Sequence, residues 1–563
     1  MDSLGGGVDA GHRKARGAFF TPPEICRYIT AWAIRDASNL VLEPSCGEAE
    51  FLLAAGRRLA ELGAADASHV RLAGVELHPG SAQRARDLMA THDYAAAIET
   101  ADFFSVQPRP GWDVVVGNPP YVRYQDFSGE PRVRAREAAL RAGVALSGLA
   151  SSWAAFMVHA ALFLRPGGRL GLVLPAELMT VNYAAEVRRF LLERFAEVRM
   201  VAFTDRVFPG VLEEVVLLLA DGFDRGPSGD LTIVQARDVR DLQNAVESTW
   251  TPADRRAKWT PGLLSADALA AYEKTASGGA FVNLDAWGET TLGMVTGRND
   301  YFALTEGDVA ALDLEPSDLL HVSPPGSRHL RRLDLSADRW HELRRAGHQN
   351  YLFRPDLDPS TAGLRYISAG ERDGVSRAYK CRVREPWWKV PYLRPAHLFL
   401  TCMNAEAPQL CDNGARVHHL NSVHGIYLRD GLVDHGQRLL PMAALNSMTL
   451  LGAETVGRSY GGGILKIEPK EADRLPMPSP DLLGTAEHDL AAVRADVDQL
   501  LQSRGLRDAV ALLDEILLVK HAGLRRAEAA ALRVARETLC ARRHARGASG
   551  PRSHIAPALE DAG

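Results

Sequence analysis

The chain has 563 residues, which is enough for two to four domains with sizeable cores. Apolar residues make up 46% and charged residues 24%, and the net charge of -5 is too mild to exclude a nucleic-acid partner. Six scattered cysteines without C-x-x-C spacing argue against a zinc knuckle and a disulfide framework and fit a reducing cytoplasm; no metal is expected. The first residues lack the apolar core of a signal peptide, and no run of about 18 apolar residues predicts a membrane span.

Short apolar runs alternate with amphipathic segments along residues 1–220. The runs predict strands at residues 40–44, 70–79, 96–104, 112–121 and 169–177. The amphipathic segments predict helices at residues 25–34, 50–63, 81–92 and 153–168. Ser81 is the expected N-cap of the third helix. Strands that alternate with helices at this spacing predict an α/β fold with a parallel, doubly wound sheet.

Four of the predicted strands end in polar or unusual residues, at the edge where such sheets bind ligands. These ends are Glu43-Pro44, Glu76, Asp102-Phe103 and Asn118-Pro119-Pro120-Tyr121. An acidic residue after the second strand suits the hydroxyls of a ribose. The first loop, "EPSCGEAEF", has Gly47 alone, whereas a pyrophosphate needs several glycines for close backbone approach. The pattern therefore predicts a cofactor with a nucleoside but no phosphates.

Five motifs occur in one order: "GAFFTPPEICRYIT", "VLEPSCGEAEFL", "GVELHP", "ADFFS" and "VVVGNPPY". Together they resemble the motif series of the amino-methyltransferases that act on adenine N6 in DNA. Because the Thr-Pro-Pro element comes first and the target-recognition region last, the order is similar to the gamma class of type II modification enzymes. The resemblance is dense over residues 17–220 and looser over residues 290–480.

The resemblance implies a Rossmann-like, mostly parallel methyltransferase sheet, then an α+β target-recognition region and a C-terminal helical segment. The implied domains are a methyltransferase domain at 1–225, a connection at 226–289, a DNA-binding region at 290–480 and a helical segment at 481–563. The connection is expected to be irregular apart from a helix near "LLSADALAAYEKTA".

The resemblance assigns the target adenine, extruded from the duplex, to residues 118–121. The Asn118 side-chain oxygen and the Pro119 carbonyl would accept hydrogen bonds from the adenine amine. That would localise its lone pair for attack on the methyl group of S-adenosylmethionine. Pro120 would help to hold the backbone rigid, and Tyr121 and Phe208 would sandwich the base. A plain strand-terminating turn, with Phe208 as a core residue, is the structural alternative.

The cofactor is S-adenosylmethionine in the family that the chain resembles. Glu76 would hold its ribose hydroxyls, Asp102 would accept from its adenine amine, and Phe103 would stack on that ring. Thr21 would bind the methionine carboxylate, and the loop would be lined by Glu43, Pro44 and Gly47. The alternatives are a helix N-cap for Thr21, a solvated strand end for Glu76, a surface site for Asp102 and a core site for Phe103. The sequence of this loop differs from the commoner family pattern, which has a second glycine.

The second half of the chain becomes basic between residues 321 and 400, with 15 Lys and Arg against 8 Asp and Glu. Aromatic residues are interleaved with these charges: Trp340, Tyr351, Tyr366, Tyr379, Trp387, Trp388 and Tyr392. A basic stretch with aromatics suits contacts to phosphates and bases, with an ordinary solvated face as the alternative. The segments 291–304 and 456–478 resemble parts of target-recognition regions.

Two helices are expected within residues 488–524. They are followed by a basic tail that could touch phosphates or simply stay mobile, and that is expected to end in a disordered stretch. Too few residues precede the Thr-Pro-Pro element for a fused nuclease, so any restriction endonuclease partner is expected on a separate chain. Two alternatives to DNA methylation stay open at this point. One is the same chemistry on RNA or a protein glutamine, and the other is a non-catalytic DNA-specificity subunit.

Overall fold

The computed structural model describes residues 21–64, 70–205, 207–208, 214–356 and 358–548. Residues 17–20, which precede Thr21 in the motif "GAFFTPPEICRYIT", lie outside the described residues. The end of the basic tail, which the sequence predicts to be disordered, also lies outside them. The chain divides into two compact units, Met1–Ser265 and Ala266–Gly563. Among the described helices, none combines the length and the apolar character needed to cross a membrane.

Unit 1 is built on a sheet of nine strands. They are β1 Val41–Glu43, β2 Leu72–Glu76, β3 Ala96–Thr100, β4 Trp112–Gly117, β5 Leu164–Pro175, β6 Phe195–Phe203, β7 Val215–Phe223, β8 Leu231–Ala236 and β9 Val246–Trp250. Their order is β3-β2-β1-β4-β5-β7-β6-β8-β9. The first five strands are parallel, and β7 lies antiparallel between β5 and β6. The predicted Rossmann-like, mostly parallel sheet is confirmed.

The helices of unit 1 follow the predicted alternation. They are α1 Pro23–Ala33, α2 Glu50–Glu61, α3 Pro79–Thr91, α4 Gly129–Arg141, α5 Ser152–Ala161, α6 Glu177–Thr180 and α7 Ala185–Arg194. Ser81 is not an N-cap, because α3 begins at Pro79, which can open a helix since it needs no N–H partner. The helix predicted to end at a glycine ends at Ala161 instead, and the Arg-Pro-Gly-Gly stretch belongs to β5.

The sheet extends further along the chain than the sequence pattern indicates. Both β8 and β9 lie in the segment predicted as an irregular connection, so that prediction is wrong for residues 231–250. The strand β8 pairs with β6 in parallel, and β9 pairs with β8 in an antiparallel ladder. The expected helix in the same segment is present as α8, Ala266–Ser277, the first helix of unit 2.

Helix α1 packs closely on the sheet and so fixes the position of the residues before it. A Cβ at Gly171 of β5 would come within 2.6 Å of the Ile29 side chain. The apolar face of α1, with Ile25 and Ile29 fully buried, joins the main core cluster of unit 1. Thr21, two residues before α1, is thereby held near the edge of the sheet.

Unit 2 combines four antiparallel sheets with helices. Its strands are β10 Phe281–Asn283, β11 Gly288–Leu292, β12 Ala303–Leu304, β13 Leu319–His321, β14 Tyr351–Phe353, β15 Leu398–Thr401, β16 Met403–Asn404, β17 Leu410–Asp412, β18 Val423–Leu428, β19 Arg458–Tyr460, β20 Ile464–Lys466 and β21 Pro476–Pro478. They form the sheets β10-β21, β11-β18-β15-β17, β12-β14-β13 and β16-β20-β19. The expected α+β character of this half is confirmed.

Thirteen α-helices are described in unit 2. They are α8 and then α9 Leu284–Trp287, α10 Asn299–Phe302, α11 Glu306–Ala311, α12 Ala337–Arg345, α13 Thr361–Arg372, α14 Tyr379–Arg382, α15 Val433–Ala443, α16 Ser447–Val456, α17 Pro469–Ala472, α18 Pro480–Gln502, α19 Leu506–Leu513 and α20 Arg526–Ala548. A π-helical stretch, Asp514–His521, follows α19. The two C-terminal helices expected from apolar spacing correspond to α18 and α19.

Several residues expected to face DNA are part of the interior of unit 2. Trp340, Tyr351 and Trp388 are buried in its hydrophobic clusters, whereas Tyr379 and Tyr392 are exposed. The basic tail is partly internal where it is described. Three of its cations, Arg536, Arg542 and Arg543, are buried, whereas Lys520, Arg525 and Arg526 are exposed, so a contact of the tail with phosphates stays a prediction for the exposed cations only.

Candidate active site

The order of the sheet creates a crevice between β1 and β4. From β1 the chain continues towards β2 on one side, and from β4 it continues towards β5 on the other side. Ligands of doubly wound sheets bind at this reversal, outside the carboxyl ends of the strands. The two loops that leave β1 and β4 contain Pro44 to Gly47 and Asn118 to Tyr121. Sequence and topology therefore bring the two main groups of predicted site residues to one place.

The amide of Asn118 is held at both ends. Its Nδ2 donates to Thr21 Oγ1 at 3.1 Å, and its Oδ1 accepts from the Tyr121 hydroxyl at 2.5 Å. The same hydroxyl lies 3.0 Å from the carbonyl oxygen of Val173 in β5. Thr21 does not cap α1, whose N-cap is Pro22, so the predicted capping alternative is wrong. The motifs at Thr21 and Asn118, 97 residues apart, meet directly.

Ser152, which the sequence reasoning missed, braces the loop after β4. Its hydroxyl donates to the Pro120 carbonyl at 2.6 Å and accepts from the Val122 N–H at 2.9 Å. Its own N–H donates to the Val122 carbonyl at 3.0 Å. Among the described residues, no hydrogen bond reaches the carbonyl of Pro119. That carbonyl is thus available as a second acceptor beside Asn118, on a loop that cannot shift easily.

The two aromatic residues predicted to sandwich a base differ in exposure. Tyr121 is half-buried and packs against the edge of the main core cluster. Phe208 belongs to that cluster and is only 3% exposed. The structure thus places Phe208 in the core, which is the alternative considered for it from the sequence.

The loop after β1 is fastened to the end of β2. The carboxylate of Glu76 accepts the Gly47 N–H at 2.9 Å on one oxygen and the His78 N–H at 2.9 Å on the other. Gly47 has a left-handed backbone with φ +51, and no described atom lies within 4 Å of where its Cβ would be. The loop therefore leaves open space beside Gly47, and each Glu76 oxygen keeps a second lone pair for another donor.

Ala49 occupies the position at which the commoner sequence pattern of the family has a second glycine. Its φ is +71, a left-handed conformation that costs a residue with a Cβ roughly 1 kcal/mol. The methyl group is fully buried in the main core cluster, which offsets part of this cost. A left-handed conformation is one that glycine adopts without this cost, so the backbone at Ala49 is of the kind that favours glycine.

Glu43 is buried beneath this loop. Its Oε2 accepts the Leu52 N–H at 3.1 Å, and Pro44 after it is also buried. Burial raises the pKa of Glu43 well above its ordinary value, the Leu52 hydrogen bond lowers it in part, and the nearby Glu76 and Glu50 raise it further. Glu43 therefore anchors the start of α2 through the Leu52 N–H, in surroundings that favour its protonated form.

Asp102 and Phe103 lie in a tight turn after β3. One Asp102 oxygen accepts the Phe104 N–H at 3.0 Å, and the other forms an ion pair with Arg134 at 3.2 Å. The Phe103 ring, 4% exposed, packs on Phe163 with the ring centres 5.0 Å apart. Phe103 therefore has the surroundings of a core residue, while the carboxylate of Asp102 stays partly exposed.

A buried histidine supports the Phe103 turn. His159 Nε2 lies 3.1 Å from the Phe103 carbonyl oxygen, and the two rings meet edge to face at 4.7 Å. Burial lowers the pKa of His159 to about 4, and the hydrogen bonds to the Phe103 and Val106 carbonyls offset this in part. The imidazole is thus neutral at ordinary pH, with its Nε2–H donating to the turn.

A polar cluster beyond the end of β5 was not predicted. The Tyr183 hydroxyl donates to the Glu177 carboxylate, and Trp153 Nε1 donates to the same oxygen at 3.2 Å. Burial, reinforced by Glu177, raises the pKa of Tyr183. Trp153 follows Ser152 directly, so this cluster continues the support of the loop after β4. The only signal in the sequence was "LPAE" at the end of a predicted strand.

The sheet and the Asn-Pro-Pro-Tyr loop at its carboxyl edge define a Rossmann-like N-methyltransferase. The chain belongs to the N-6 DNA methylase family, whose sequence model matches residues 9–256. Residues 256–518 match the C-terminal domain of the type II methyltransferase M.Eco57I. The protein is therefore a DNA N6-adenine methyltransferase of the type II restriction-modification class. The recognised family is confirmed, and the motif order is consistent with the gamma class.

Two relatives match over most of their length. The type II methyltransferase M.XamI of Xanthomonas campestris pv. amaranthicola is 26% identical over 494 residues, 83% of this chain and 86% of the relative. The type II methyltransferase M.AccI of Acinetobacter calcoaceticus is 20% identical over 531 residues, 91% of this chain and 94% of the relative. These matches extend across both units, so both belong to the same kind of enzyme.

The fold also has a counterpart among solved structures. The type IIL restriction-modification enzyme MmeI, solved in complex with DNA, aligns with a TM-score of 0.56 and 12% identity, covering 92% of this chain and 75% of that one. At this identity the likeness concerns the fold alone. The family assignment favours DNA over RNA or protein glutamine as the substrate, and an enzyme over a non-catalytic subunit.

Proposed function

We propose that the enzyme transfers a methyl group from S-adenosylmethionine to N6 of an adenine that is flipped out of duplex DNA. The observation that carries this proposal is the amide of Asn118, held between Thr21 and Tyr121 at the carboxyl end of β4. Its oxygen and the Pro119 carbonyl offer two acceptors side by side. A primary aromatic amine, with two N–H donors, is the group that such a pair suits.

The cofactor proposal rests on the loop after β1. N-6 DNA methylases use S-adenosylmethionine, which supplies the methyl group when bound. Glu76 fits the two hydroxyls of a ribose, because each of its oxygens keeps a lone pair beyond its backbone hydrogen bond. The open space beside Gly47 leaves room for a bound ligand next to the loop. Asp102 stays a candidate for the cofactor adenine, whereas Phe103 would need to expose a face that is now in the core.

The residues of the chain act on the amine by positioning it. Two hydrogen bonds, to Asn118 and Pro119, would draw the amine nitrogen towards tetrahedral geometry and localise its lone pair. S-adenosylmethionine, when bound, would supply the methyl group, whose bond to sulfur would break as the C–N bond forms, and N6 would give up one proton to water. No residue forms a covalent bond in this scheme, so catalysis depends on orientation and local electrostatics.

The aromatic residues then have unequal roles. Half-buried Tyr121 can present a face to the flipped base, and stacking on an aromatic ring contributes roughly 1–3 kcal/mol. Phe208 is a buried member of the core cluster against which Tyr121 packs. We propose Tyr121 as the stacking residue and Phe208 as a second contact at most.

In unit 2, one short segment is the best candidate for DNA contact. Residues 377–384, "RAYKCRVR", carry four basic side chains and no acidic one. In the part of the chain described, no ion pair involves Arg377, Lys380 or Arg382. Tyr379 is 66% exposed, with Lys380 Nζ 5.6 Å from its ring centre. Uncompensated cations beside an exposed aromatic suit phosphates and bases.

Any cognate restriction endonuclease is proposed as a separate chain.

The test of the catalytic proposal is tritiated methyl transfer from S-adenosylmethionine to duplex DNA. Asn118→Ala should lower kcat by roughly 100-fold or more, because one of two oriented acceptors is lost. Asn182→Ala, at an exposed asparagine near the end of β5, is the matched control and should resemble the wild type. Wild-type activity in Asn118→Ala would refute the mechanism. Methylation-sensitive sequencing of DNA from expressing cells reports the modified base and its sequence context.

A further inference from the structure

We infer that Arg298 reads a guanine in the major groove of the recognised DNA site, with its guanidinium held in place for that contact by Asp300. The inference rests on the proposed function and extends it from the amine chemistry of unit 1 to the sequence specificity of unit 2. Both residues belong to the segment 291–304, which resembles part of a target-recognition region. A base-reading residue within this segment cannot be recognised from the motif alone.

The guanidinium of Arg298 is fixed along one edge by Asp300. Its Nε donates to Asp300 Oδ1 at 3.0 Å, and its Nη2 donates to Oδ2 at 2.7 Å. These bonds leave one N–H of Nη1 and one of Nη2 side by side at the end of the fork. Among the described residues, none accepts a hydrogen bond from Nη1, and the side chain is 43% exposed. A second pair of parallel donors is thus held in a fixed plane on an exposed side chain.

The loop that carries Arg298 is anchored on both sides. Before it, the hydroxyl of buried Thr296 accepts the Arg298 N–H at 3.2 Å and donates to Asn299 Oδ1 at 2.5 Å. After it, Tyr301 and Phe302 are buried in a hydrophobic cluster of unit 2. A side chain on a fixed backbone, already oriented by a partner, loses little conformational freedom when it binds a ligand.

The same loop lies against the basic segment 377–384. A Cβ at Gly297 would come within 2.8 Å of Lys380 Cβ and 3.5 Å of the Cys381 sulfur. Burial raises the pKa of the Cys381 thiol, and the charge of Arg298 is one of two that offset this in part, so the guanidinium is close to that segment. Arg298 therefore lies beside the cations that we propose as phosphate ligands. Phosphate contacts position a protein on the duplex, and a neighbouring side chain can then reach a base edge.

The pairing with Asp300 favours a base over a phosphate as the ligand of Arg298. A phosphate contact gains affinity from an uncompensated cation, because counterions are released from the DNA. Arg298 and Asp300 together have no net charge, so they offer a phosphate little of this gain. Guanine presents two neutral acceptors, O6 and N7, that suit two parallel N–H donors. Adenine has a donor, its N6 amine, in place of O6, so the fork favours guanine.

The decisive variant replaces both Arg298 and Asp300 with alanine, which removes the fork and leaves the net charge unchanged. Wild type and variant are each used to select bound duplexes from a pool with a randomised core, and the selected duplexes are sequenced. We expect the wild type to prefer a G·C pair at one position, and the variant to lose a preference of roughly 10- to 100-fold at that position alone. The slope of log K against log salt should stay within about 0.3 of the wild type, since no phosphate contact is lost.

Two controls separate the fork from its charge and from exposed ion pairs in general. Arg298→Lys keeps the charge but has no planar fork, so it should lose the same base preference. The double variant Arg438→Ala with Glu487→Ala removes another exposed ion pair of unit 2 and also conserves the net charge. It should retain every base preference of the wild type.

Unchanged base preferences in the Arg298 and Asp300 double variant would overturn the inference. A slope lower by about 0.9 with unchanged preferences would make Arg298 a phosphate ligand instead. A wild-type pool without a preferred G·C pair would also refute the inference. Failure of the wild type to methylate the selected duplexes would instead refute the proposed function. The selection needs no methyl transfer, so it would still decide the role of Arg298.

Discussion

Glu43 is a buried carboxyl group that accepts a hydrogen bond from the first turn of α2. It lies at the end of β1 with a single described hydrogen bond, from the Leu52 N–H, and with two other carboxylates nearby. Its pKa is raised well above the ordinary value, first of all by burial. Between the unfolded value of about 4.3 and the raised folded value, only the folded state keeps the proton. Stability therefore falls as the pH rises through this window.

Glu43→Gln should remove this pH dependence. The amide oxygen can still accept from Leu52, and no group ionises. We expect a higher unfolding midpoint than the wild type at pH 8, with the difference shrinking towards pH 5. Thermal unfolding followed by circular dichroism at several pH values measures this.

The matched control for Glu43 is Glu61→Gln, at the exposed end of α2. Its difference from the wild type should be small and independent of pH. If Glu43→Gln shows a flat difference as well, Glu43 is ionised in the folded protein and its surroundings do not favour the protonated form.

At the level of single residues, some site positions could be predicted from the sequence and some contacts could not. Asn118, Tyr121 and Glu76 were predicted at the sheet edge because polar residues followed apolar runs, and the structure brings the corresponding loops together. The bond between Thr21 and Asn118 could not be predicted, because it joins positions 97 residues apart through packing of α1 on the sheet. Whether a side chain is buried also depends on residues far away in the sequence. For this reason Phe103 and Phe208 were predicted to stack on ligands, although both rings lie in the core.

At the level of elements, α20 is held to α16 by a buried ion pair. Arg543 Nη2 lies 2.8 Å from Glu454 Oε1, and the two side chains are 3% and 5% exposed. Arg543 also donates to the Ala405 carbonyl at 2.8 Å. Arg543→Ala would leave the Glu454 carboxylate buried without its partner. We expect a loss of roughly 3–5 kcal/mol in the free energy of unfolding, measured by urea denaturation.

Arg525→Ala provides the comparison, because Arg525 pairs with Glu528 next to the same helix on an exposed surface. It should leave the urea midpoint unchanged. Replacing both Glu454 and Arg543 with leucine should recover much of the stability, since neither charge then remains buried. Equal effects of Arg543→Ala and Arg525→Ala would show that the buried pair does not fasten α20.

The elements found from sequence are those with a strong local signal. Strands β1 to β5 lie in the part of the chain where short apolar runs alternate mostly with helices, and all five were predicted. Strands β8 and β9 were missed, because their alternating or exposed residues resemble a loop and they gain their place by pairing at the far edge of the sheet. In the same way the basic residues of α20 resembled a free tail, although their partners lie in distant segments.

On the scale of the whole molecule, the boundary between the units lies where the sheet has ended. The contacts divide the chain after Ser265, and the two matched families meet at residue 256. The predicted methyltransferase boundary at 225 stays a prediction, and β8 and β9 of the nine-stranded sheet lie beyond it. The predicted DNA-binding region from 290 to 480 stays a prediction, and within it residues 377–384 combine the exposed side chains of Arg377, Tyr379, Lys380 and Arg382.

If residues 377–384 contact phosphates, the salt dependence of DNA binding should reveal it. Each phosphate contact contributes a slope of about 0.9 in a plot of log K against log salt. The triple variant with Arg377, Lys380 and Arg382 changed to alanine should reduce the slope by roughly 2 to 3. Fluorescence anisotropy with a short labelled duplex of random sequence, titrated at several salt concentrations, measures the slope. S-adenosylmethionine affinity should be unchanged, because none of the three lies in the proposed cofactor site.

A second triple variant separates this local effect from a loss of net charge. Arg345, Lys470 and Arg474 are also exposed cations of unit 2 without an ion pair in the described part of the chain. Changing them to alanine alters the net charge by the same amount, so a general attraction would fall equally in both triples. A larger drop in slope for the 377–382 triple assigns the contact to that segment. Equal slopes for the two triples and the wild type would place the phosphate contacts on another surface.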